Sequence, residues 1–529
     1  MFLRDQPQRM ATEFRYVRNL GLNAIRTEGK LERPSFYHMA DRNGILILSG
    51  WVCCSEWEAW AKTGGRPWTK ATFKVAGKSM ASEARRLRNH PSVIAFLIGS
   101  DNAPPNKIAK MYVDTLHAAD WPNPIVSAAS KRVHKNQVPS PSGIKMSGPY
   151  AWVPPNYWYS DKVGGAFGFI AETSAGADIP RLSTLNQMLT PRERRALWKN
   201  PGVKQYHASP AWSPFSTLKL FDSGLAHRYG KPTSLADYVE KSQLANYNVV
   251  RAQFEAYNAH MDAKNPSTGV IYWMLNSAWP SLHWHLINHD LNPAGAYFGA
   301  QKANQAVHIQ YSYNNRAVMA INHTLKPLHG VDARIRVYNL DGKRRYSHNV
   351  TGIDLPANRA SQLMVIPKLK QLSSTYFVEL ELTNADGQQI SRNVYWLSNK
   401  PDQLNWAKSN WYTTPVSRYA NLKALQKLPS VNVRVKTNTH RDSTDQVTKV
   451  TVTAPAKDKD VAFFVHLSIR KTANGKPLVP ITWSSNDVSL WPGESMTLTA
   501  RYKATKHVSP VVQVSGWNVR SRSIPLTLQ

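Results

Sequence analysis

The chain has 529 residues, of which 42% are hydrophobic, so it is long enough for several well-packed domains, and extended disorder is excluded. No apolar run is long enough to span a bilayer, and the first residues contain no apolar core of an export signal. The net charge of +32 raises the question of a nucleic-acid partner, but the basic residues are spread along the chain without a zinc-finger or ribonucleoprotein motif, so none is predicted.

Helices and strands alternate through the first 300 residues. Met10, Phe14, Val17 and Leu20 recur at helical spacing, and Gly21 is positioned to end that helix. Further helices are predicted around residues 34–43, 79–89 and 235–260. Seven strand candidates lie between the helices, at residues 22–26, 45–49, 93–99, 125–128, 144–146, 166–171 and 269–273.

This alternation predicts a parallel sheet with helical crossovers, and the number of strands specifies it further. A (β/α)8 TIM barrel has eight strands and opens with a strand, whereas this chain offers seven candidates and opens with a helix. The predicted fold class is therefore multidomain. Residues 1–305 form a catalytic TIM barrel that lacks its first strand, and two immunoglobulin-like β-sandwich domains follow.

The two sandwiches are predicted from the change of pattern after residue 305. Residues 331–337 alternate apolar and polar side chains, and the Asp341-Gly342 and Asp386-Gly387 pairs are typical of hairpin turns. A connection near residue 400 separates this block from a second all-β block. The predicted domains are residues 306–405 and 406–529, each about the size of an immunoglobulin-like sandwich.

Neither the cysteines nor the histidines predict a metal site. Cys53 and Cys54 are adjacent, a spacing that fits neither an ordinary disulfide nor a metal motif, so we interpret them as packed thiols. His283, His285 and His289 cluster without other metal-ligand features and are interpreted as loop histidines. No cofactor is expected either.

Three carboxylates directly follow buried strand candidates. Glu28, Asp101 and Glu172 each stand at the carboxyl end of a strand, where the active sites of β/α barrels lie. For one such residue a salt bridge is an equal alternative, but three at the same end favour a site. On the barrel count, Asp101 ends strand four and Glu172 ends strand seven. Such a pair fits glycoside hydrolysis, with retention where the carboxyl groups are about 5 Å apart.

Aromatic residues concentrate in the loops at the same end of the predicted barrel. Sugar faces stack on aromatic rings, so some of these residues are expected to contact substrate, although each taken singly is as well explained by core packing. The candidates for sugar contact are Trp51, Tyr150, Tyr157, Trp273 and Trp279.

With these residues in view, the chain resembles glycoside hydrolase family 2, and within it the exo-β-D-glucosaminidases that act on chitosan. The resemblance covers essentially the whole chain. Most of the wider family has Asn-Glu where this chain has Ser100-Asp101, and the Ser-Asp pair is similar to the glucosaminidase branch. The matching segments include residues 19–26, 28–29, 50–51, 99–101, 148–150, 172–176, 265–269, 272–276, 282–284 and 490–494.

The resemblance implies a role for each matching residue. Asp101 is the expected general acid, Glu172 the nucleophile and Glu28 the carboxylate that binds the substrate amine. Ser100 and Asn276 are expected to help bind the sugar. The implied substrate is chitosan or a glucosamine oligosaccharide, cut at its non-reducing end, and the implied location is secreted or periplasmic.

Three alternatives remain open from the sequence. The first is a β-mannosidase or β-galactosidase of the same family, which the Ser-Asp pair and Glu28 disfavour. The second is an inactive, truncated chain that binds polysaccharide, which the missing strand favours and the retained carboxylates disfavour. The third is a nucleic-acid-binding protein, for which no motif is found. The oligomeric state is not predicted.

Overall fold

The computed structural model describes residues 6–28, 31–51, 53, 68–131, 133–457, 459–504 and 509–527. In its first part, helices alternate with parallel strands. A four-stranded parallel sheet has the order β1 (Ala24–Arg26), β2 (Leu46–Gly50), β3 (Val93–Leu97) and β4 (Ile125–Val126). A second parallel pair joins β5 (Gly168–Thr173) to β6 (Ser267–Tyr272). The predicted strand at 144–146 is represented by one parallel bridge, Lys145 to Ile170.

The helices begin at the signals that their sequences carry. Pro7, Pro34 and Pro191 occupy first-turn positions, and Ser234 caps the longest helix through a bond from the Asp237 amide. The helices are α1 (Pro7–Asn19), α2 (Pro34–Asn43), α3 (Lys70–Leu87), α4 (Asn106–Ala118), α5 (Leu182–Met188), α6 (Pro191–Lys199), α7 (Lys219–Tyr229), α8 (Leu235–Ala259) and α9 (Gly295–Ala303).

The predicted helix at 79–89 is wrong at its start. The helix begins at Lys70, because the Thr69 hydroxyl accepts a bond from the Thr72 amide and caps it nine residues earlier. Within the described residues, no helix combines the length and apolarity needed to cross a bilayer.

The rest of the chain builds antiparallel sheets that pack face to face. In the first sandwich, the four-stranded sheet β10-β9-β12-β13 packs on the three-stranded sheet β11-β8-β7. The second contains the sheets β16-β17-β21-β19 and β20-β18-β22-β23, and β14 pairs with β15 between the two.

The strands of the first sandwich are β7 (Val307–Tyr311), β8 (Ala317–Asn322), β9 (Leu328–Asn339), β10 (Arg344–Leu355), β11 (Arg359–Val365), β12 (Thr375–Thr383) and β13 (Gln389–Ser398). The later strands are β14 (Gln403–Leu404), β15 (Val416–Arg418), β16 (Arg434–Asp442), β17 (Asp445–Thr453), β18 (Ala462–Arg470), β19 (Ile481–Trp483), β20 (Val488–Leu490), β21 (Ser495–Lys503), β22 (Val511–Gly516) and β23 (Val519–Pro525). The predicted domain boundary at 405/406 falls between β14 and β15, in the connection between the two sandwiches, and stays a prediction.

A buried polar network joins α8 to the first sandwich. The Arg251 guanidinium donates to the Asn393 side chain at 2.8 Å and lies 4.0 Å from the ring centre of Tyr395. One Glu255 carboxylate oxygen accepts bonds from His308, Asn393 and Tyr395, at 2.9, 2.7 and 2.7 Å. Because both charges are fully buried, each depends on the other and on these partners.

We therefore expect Glu255→Ala to lower the free energy of unfolding by about 3–5 kcal/mol, since it leaves the Arg251 charge buried without its counterion. Urea-induced unfolding measures the change. The control Lys110→Ala removes an exposed i,i+4 pair with Asp114 and should cost under about 0.5 kcal/mol. Equal effects of the two substitutions would contradict a stabilising role for the network.

Candidate active site

The three carboxylates predicted from the sequence lie at the same end of the parallel strands. Glu28 follows β1 by two residues, Asp101 follows β3 by four, and Glu172 is the last residue but one of β5. The carboxyl ends of parallel strands share one edge of a sheet, so the fold brings these residues to that edge.

Glu172 is the most buried of the three, with 7% of its surface exposed. One of its carboxylate oxygens accepts a bond from the Tyr150 hydroxyl at 2.6 Å, and the other accepts one from Arg26 at 3.1 Å. Arg26 also donates to the hydroxyl of Ser100 at 2.7 Å. Ser100 therefore helps to orient the guanidinium that contacts Glu172.

Burial raises the pKa of Glu172 to about 7. The positive charge of Arg26 and the bond from Tyr150 lower that pKa and so limit the rise, whereas the negative charges of Glu28 and Asp101 add to it. The protonation of Glu172 therefore depends on the charge state of the whole cluster.

Glu28, Cys53 and Asp101 form a second, tighter group. A carboxylate oxygen of Glu28, the Cys53 sulfur and a carboxylate oxygen of Asp101 all lie within 4.8 Å of one another. The Cys53 thiol donates to Asp101 Oδ1 at 3.3 Å, and the Ser130 hydroxyl donates to the Asp101 backbone carbonyl at 2.6 Å. Two carboxylates at this separation form an environment that favours a cation.

A cavity of about 380 Å³ opens beside the carboxylates, between β1 and β6. Its walls are largely apolar, and Glu28 and Glu172 contribute acidic groups to them. Three further sugar-contact candidates also line it: Trp273, Asn276 and Trp279. An apolar cavity with a few converging polar groups is the usual form of a small-molecule site.

Aromatic rings from distant parts of the chain surround Tyr150. Its ring centre lies 6.5 Å from that of Trp284 and 6.1 Å from that of Phe215. The Trp284 indole donates to the Tyr150 carbonyl at 2.8 Å, and the Tyr150 amide donates to the Tyr412 carbonyl at 3.1 Å. The segment that joins the two sandwiches thus helps to position the tyrosine that contacts Glu172.

Four of the predicted sugar-binding residues do not line the cavity: Tyr150 and Ser100 contact Glu172 and Arg26, respectively, and Trp51 and Tyr157 pack elsewhere. The Trp51 ring packs on Phe96 and Tyr112, in the layer between sheet and helices. Tyr157 is fully buried, and its hydroxyl accepts a bond from the Gly164 amide at 3.0 Å. Both side chains have the core-packing role that a single aromatic residue has by default.

Arg26, Cys53 and Tyr412 contact the site residues but were not among the sequence candidates. An arginine ending the strand that leads to Glu28 was a usable signal, because a buried arginine requires an acidic partner. Cys53 was interpreted as a packed thiol, whereas it donates to Asp101; Cys54 lies outside the described residues. Nothing in the sequence near Tyr412 indicates its contact with residue 150.

The histidine cluster follows the site-lining loop and is internally hydrogen-bonded. His285 Nε2 lies 2.6 Å from Asn288 Oδ1, and its Nδ1 lies 2.9 Å from the His283 carbonyl. Burial lowers the pKa of His283 to about 3, so it is neutral at physiological pH. These contacts agree with the loop role predicted for the cluster.

Sequence profiles identify both C-terminal domains. The profile of the exo-β-D-glucosaminidase Ig-fold domain matches residues 411–519, and that of the mannosidase Ig/CBM-like domain matches residues 314–400. The predicted immunoglobulin-like character of the two sandwiches is thereby confirmed.

Similar proteins extend over 99% of this chain. An exo-β-D-glucosaminidase of Streptomyces avermitilis is 50% identical and one of Amycolatopsis orientalis is 45% identical. The chain covers 58% and 52% of their lengths, so it spans little more than half of these curated relatives.

Solved structures extend the comparison to the fold. The Amycolatopsis orientalis exo-chitosanase CsxA, known in complex with PNP-β-D-glucosamine, matches with a TM-score of 0.95 at 44% identity. The match covers 99% of this chain and 62% of that one. A β-D-mannosidase of Dictyoglomus thermophilum matches with a TM-score of 0.71 at 16% identity, over 97% of this chain and 58% of that one, which shows a shared fold alone.

The raised pKa of Glu172 predicts a pH-dependent contribution to stability. Between its ordinary value of 4.5 and about 7, the unfolded chain loses this proton while the folded protein keeps it, so unfolding becomes easier as pH rises. Between pH 4.5 and 7 we expect the free energy of unfolding of Glu172→Gln to rise by up to about 3 kcal/mol relative to that of the wild type. Above pH 7 this difference should stay constant. Urea unfolding at each pH tests this, and a difference that does not vary with pH would contradict it.

Proposed function

Because exo-β-D-glucosaminidases are 45–50% identical to this chain over 99% of its length, we propose that it belongs with them in glycoside hydrolase family 2 and releases β-linked D-glucosamine from the non-reducing end of chitosan or its oligosaccharides. The observation that carries this proposal is the convergence of Glu28, Asp101 and Glu172 beside one cavity. We assign the activity a secreted or periplasmic location, because the substrate is a polymer.

The proposed scaffold is a (β/α)8 barrel, of which the parallel strands of this chain supply strands two to eight. Supporting it, the bridge from Lys145 to Ile170 continues the strand order towards β5 and β6. One apolar cluster contains residues from strands of both parallel sheets, as the filled interior of a barrel does: Leu48, Ala95, Leu97, Ala129, Met146 and Ala171. On this count the cavity lies between barrel strands two and eight.

The proposed reaction retains the anomeric configuration. Asp101 donates its proton to the glycosidic oxygen while a Glu172 oxygen attacks the anomeric carbon, so the glycosidic bond breaks as a glycosyl ester forms. Water then attacks the same carbon, Asp101 takes its proton, and Glu172 leaves as the carboxylate. Arg26 and Tyr150 stabilise the charge of that carboxylate and fix its orientation.

In this proposal Glu28 binds the 2-ammonium group of the substrate. A cation beside Glu28 neutralises one of the two negative charges that raise the pKa of Glu172. Substrate binding therefore lowers the pKa of the nucleophile and favours the ionised form that attacks. A sugar with a neutral 2-hydroxyl lacks this effect, which separates the proposed substrate from mannosides and galactosides.

We expect the purified chain to release glucosamine one unit at a time from chitosan oligomers, measured by mass spectrometry. Asp101→Asn should reduce the rate about 10²–10⁴-fold, because the leaving oxygen is no longer protonated, and Glu172→Gln at least as much. Asp114→Asn, an exposed carboxylate on α4, serves as the control and should leave the rate unchanged. Failure of a folded chain to release glucosamine, or faster cleavage of nitrophenyl mannoside or galactoside, would contradict the proposal.

The role of Glu28 is tested by binding, with cleavage blocked by Glu172→Gln. We expect Glu28→Ala and Glu28→Gln to weaken glucosamine binding alike, by about 10–100-fold, because both remove the charge that pairs with the ammonium. Isothermal titration calorimetry measures the loss, and glucose, which lacks the amine, is the control ligand. Retained glucosamine affinity in either variant would contradict the assignment.

A further inference from the structure

A hairpin at residues 204–217, between α6 and α7, exposes two large aromatic side chains. Lys204 and Thr217 form an antiparallel bridge at its base, and the Gln205 amide donates to the Ser216 carbonyl at 2.7 Å. Within it, Trp212 is 86% exposed and Tyr206 is 69% exposed. We call this segment the aromatic hairpin.

One end of the aromatic hairpin contacts the residues that hold the proposed nucleophile. The Phe215 ring centre lies 4.8 Å from that of Trp284 and 6.1 Å from that of Tyr150, whose hydroxyl donates to Glu172. Trp212 is three residues from Phe215, so their Cα atoms are at most about 11 Å apart. The Trp212 backbone therefore lies within about 11 Å of a residue whose ring packs on Trp284 and Tyr150.

The other end of the aromatic hairpin packs on the loop that lines the cavity. The Tyr206 ring centre lies 4.9 Å from that of Trp279, a cavity-lining residue. His207 anchors this contact, because its Nδ1 lies 2.7 Å from the Pro280 carbonyl and its own carbonyl accepts from the Leu282 amide at 2.8 Å. The Tyr206 ring is thus attached to the site through fixed contacts.

Apart from Lys204 at its base, the aromatic hairpin carries no formal charge, and neither does the adjoining loop, although the chain is strongly basic. Residues 205–218 and 273–289 contain no Lys, Arg, Asp or Glu, although the whole chain has 66 Lys and Arg residues. Burial also lowers the pKa of His283 and His285 in that loop. A polycationic sugar chain that passes over these segments therefore meets no lysine or arginine from them, and experiences no close-range repulsion from such side chains.

Single exposed hydrophobic residues are common, but two exposed aromatic rings in one short hairpin beside a site mark an interaction surface. We propose that the aromatic hairpin is a stacking platform for the glucosamine units on the leaving-group side of the scissile bond. The terminal sugar lies against Glu28, Asp101 and Glu172, and the rest of the chain leaves across Tyr206 and Trp212. This inference rests on the proposed function and adds a preference for longer oligomers.

The test measures binding of glucosamine and of its β-1,4-linked hexamer by calorimetry, with Glu172→Gln blocking cleavage. Trp212→Ala and Tyr206→Ala should each weaken hexamer binding about tenfold and leave glucosamine binding unchanged. Trp212→Phe, which keeps a ring, should bind the hexamer with an affinity within about threefold of that of the Glu172→Gln parent. The control Leu325→Ala removes an apolar side chain that is 92% exposed on the first sandwich and should change neither affinity.

The outcomes separate this inference from the proposed function. If the parent binds both ligands and Trp212→Ala binds the hexamer as tightly, the platform is overturned and the proposed function stands. Equal losses for glucosamine and hexamer would also overturn it, because they report a distorted cavity. If the parent binds neither ligand, the proposed function and the platform are both overturned.

Discussion

The buried carboxylate of Glu172 is the constraint on which the rest of the candidate site depends. A carboxylate that is 7% exposed remains available as an anion only with positive charge and hydrogen-bond donors beside it. Arg26 at the end of β1 and Tyr150 supply these, and Ser100, beyond β3, accepts from Arg26. The proposed reaction therefore requires the three acidic residues and, in addition, the correct register of β1, β3 and β5.

Tyr150 also makes the site dependent on parts of the chain outside the parallel sheets. Its backbone amide is held by the Tyr412 carbonyl, in the segment between the sandwiches, and its carbonyl by the Trp284 indole. The first sandwich is also joined to α8 through Arg251 and Glu255. The β-domains thus contribute to the position of a donor to Glu172, and their attachment is part of how the site is built.

The sequence predicted the elements whose apolar pattern is strong. Every strand candidate of the first 300 residues has a counterpart, because buried parallel strands are continuous apolar runs. β7, β8, β10, β11 and β16 were not predicted; in β10 and β16 exposed, charged residues mask the alternation, whereas β7 and β8 are short buried strands that were overlooked. The carboxylates could be located because strand ends carry function, whereas Trp51 and Tyr157 do not line the cavity, since aromatic content alone does not distinguish cavity from core. The contact between residues 150 and 412 is purely tertiary.

The basic charge of the chain repels the proposed polycationic substrate at long range, but local charge decides the approach. Screening limits the influence of distant charges to about 10 Å at 0.1 M ionic strength, so the groups that matter are those lining the route. There Glu28, Asp101 and Glu172 outnumber Arg26, and residues 205–218 and 273–289 carry no formal charge. In the proposed reaction, an ammonium bound beside Glu28 also lowers the pKa of Glu172, so the substrate shifts the acidic cluster that attracts it towards the ionised form that attacks.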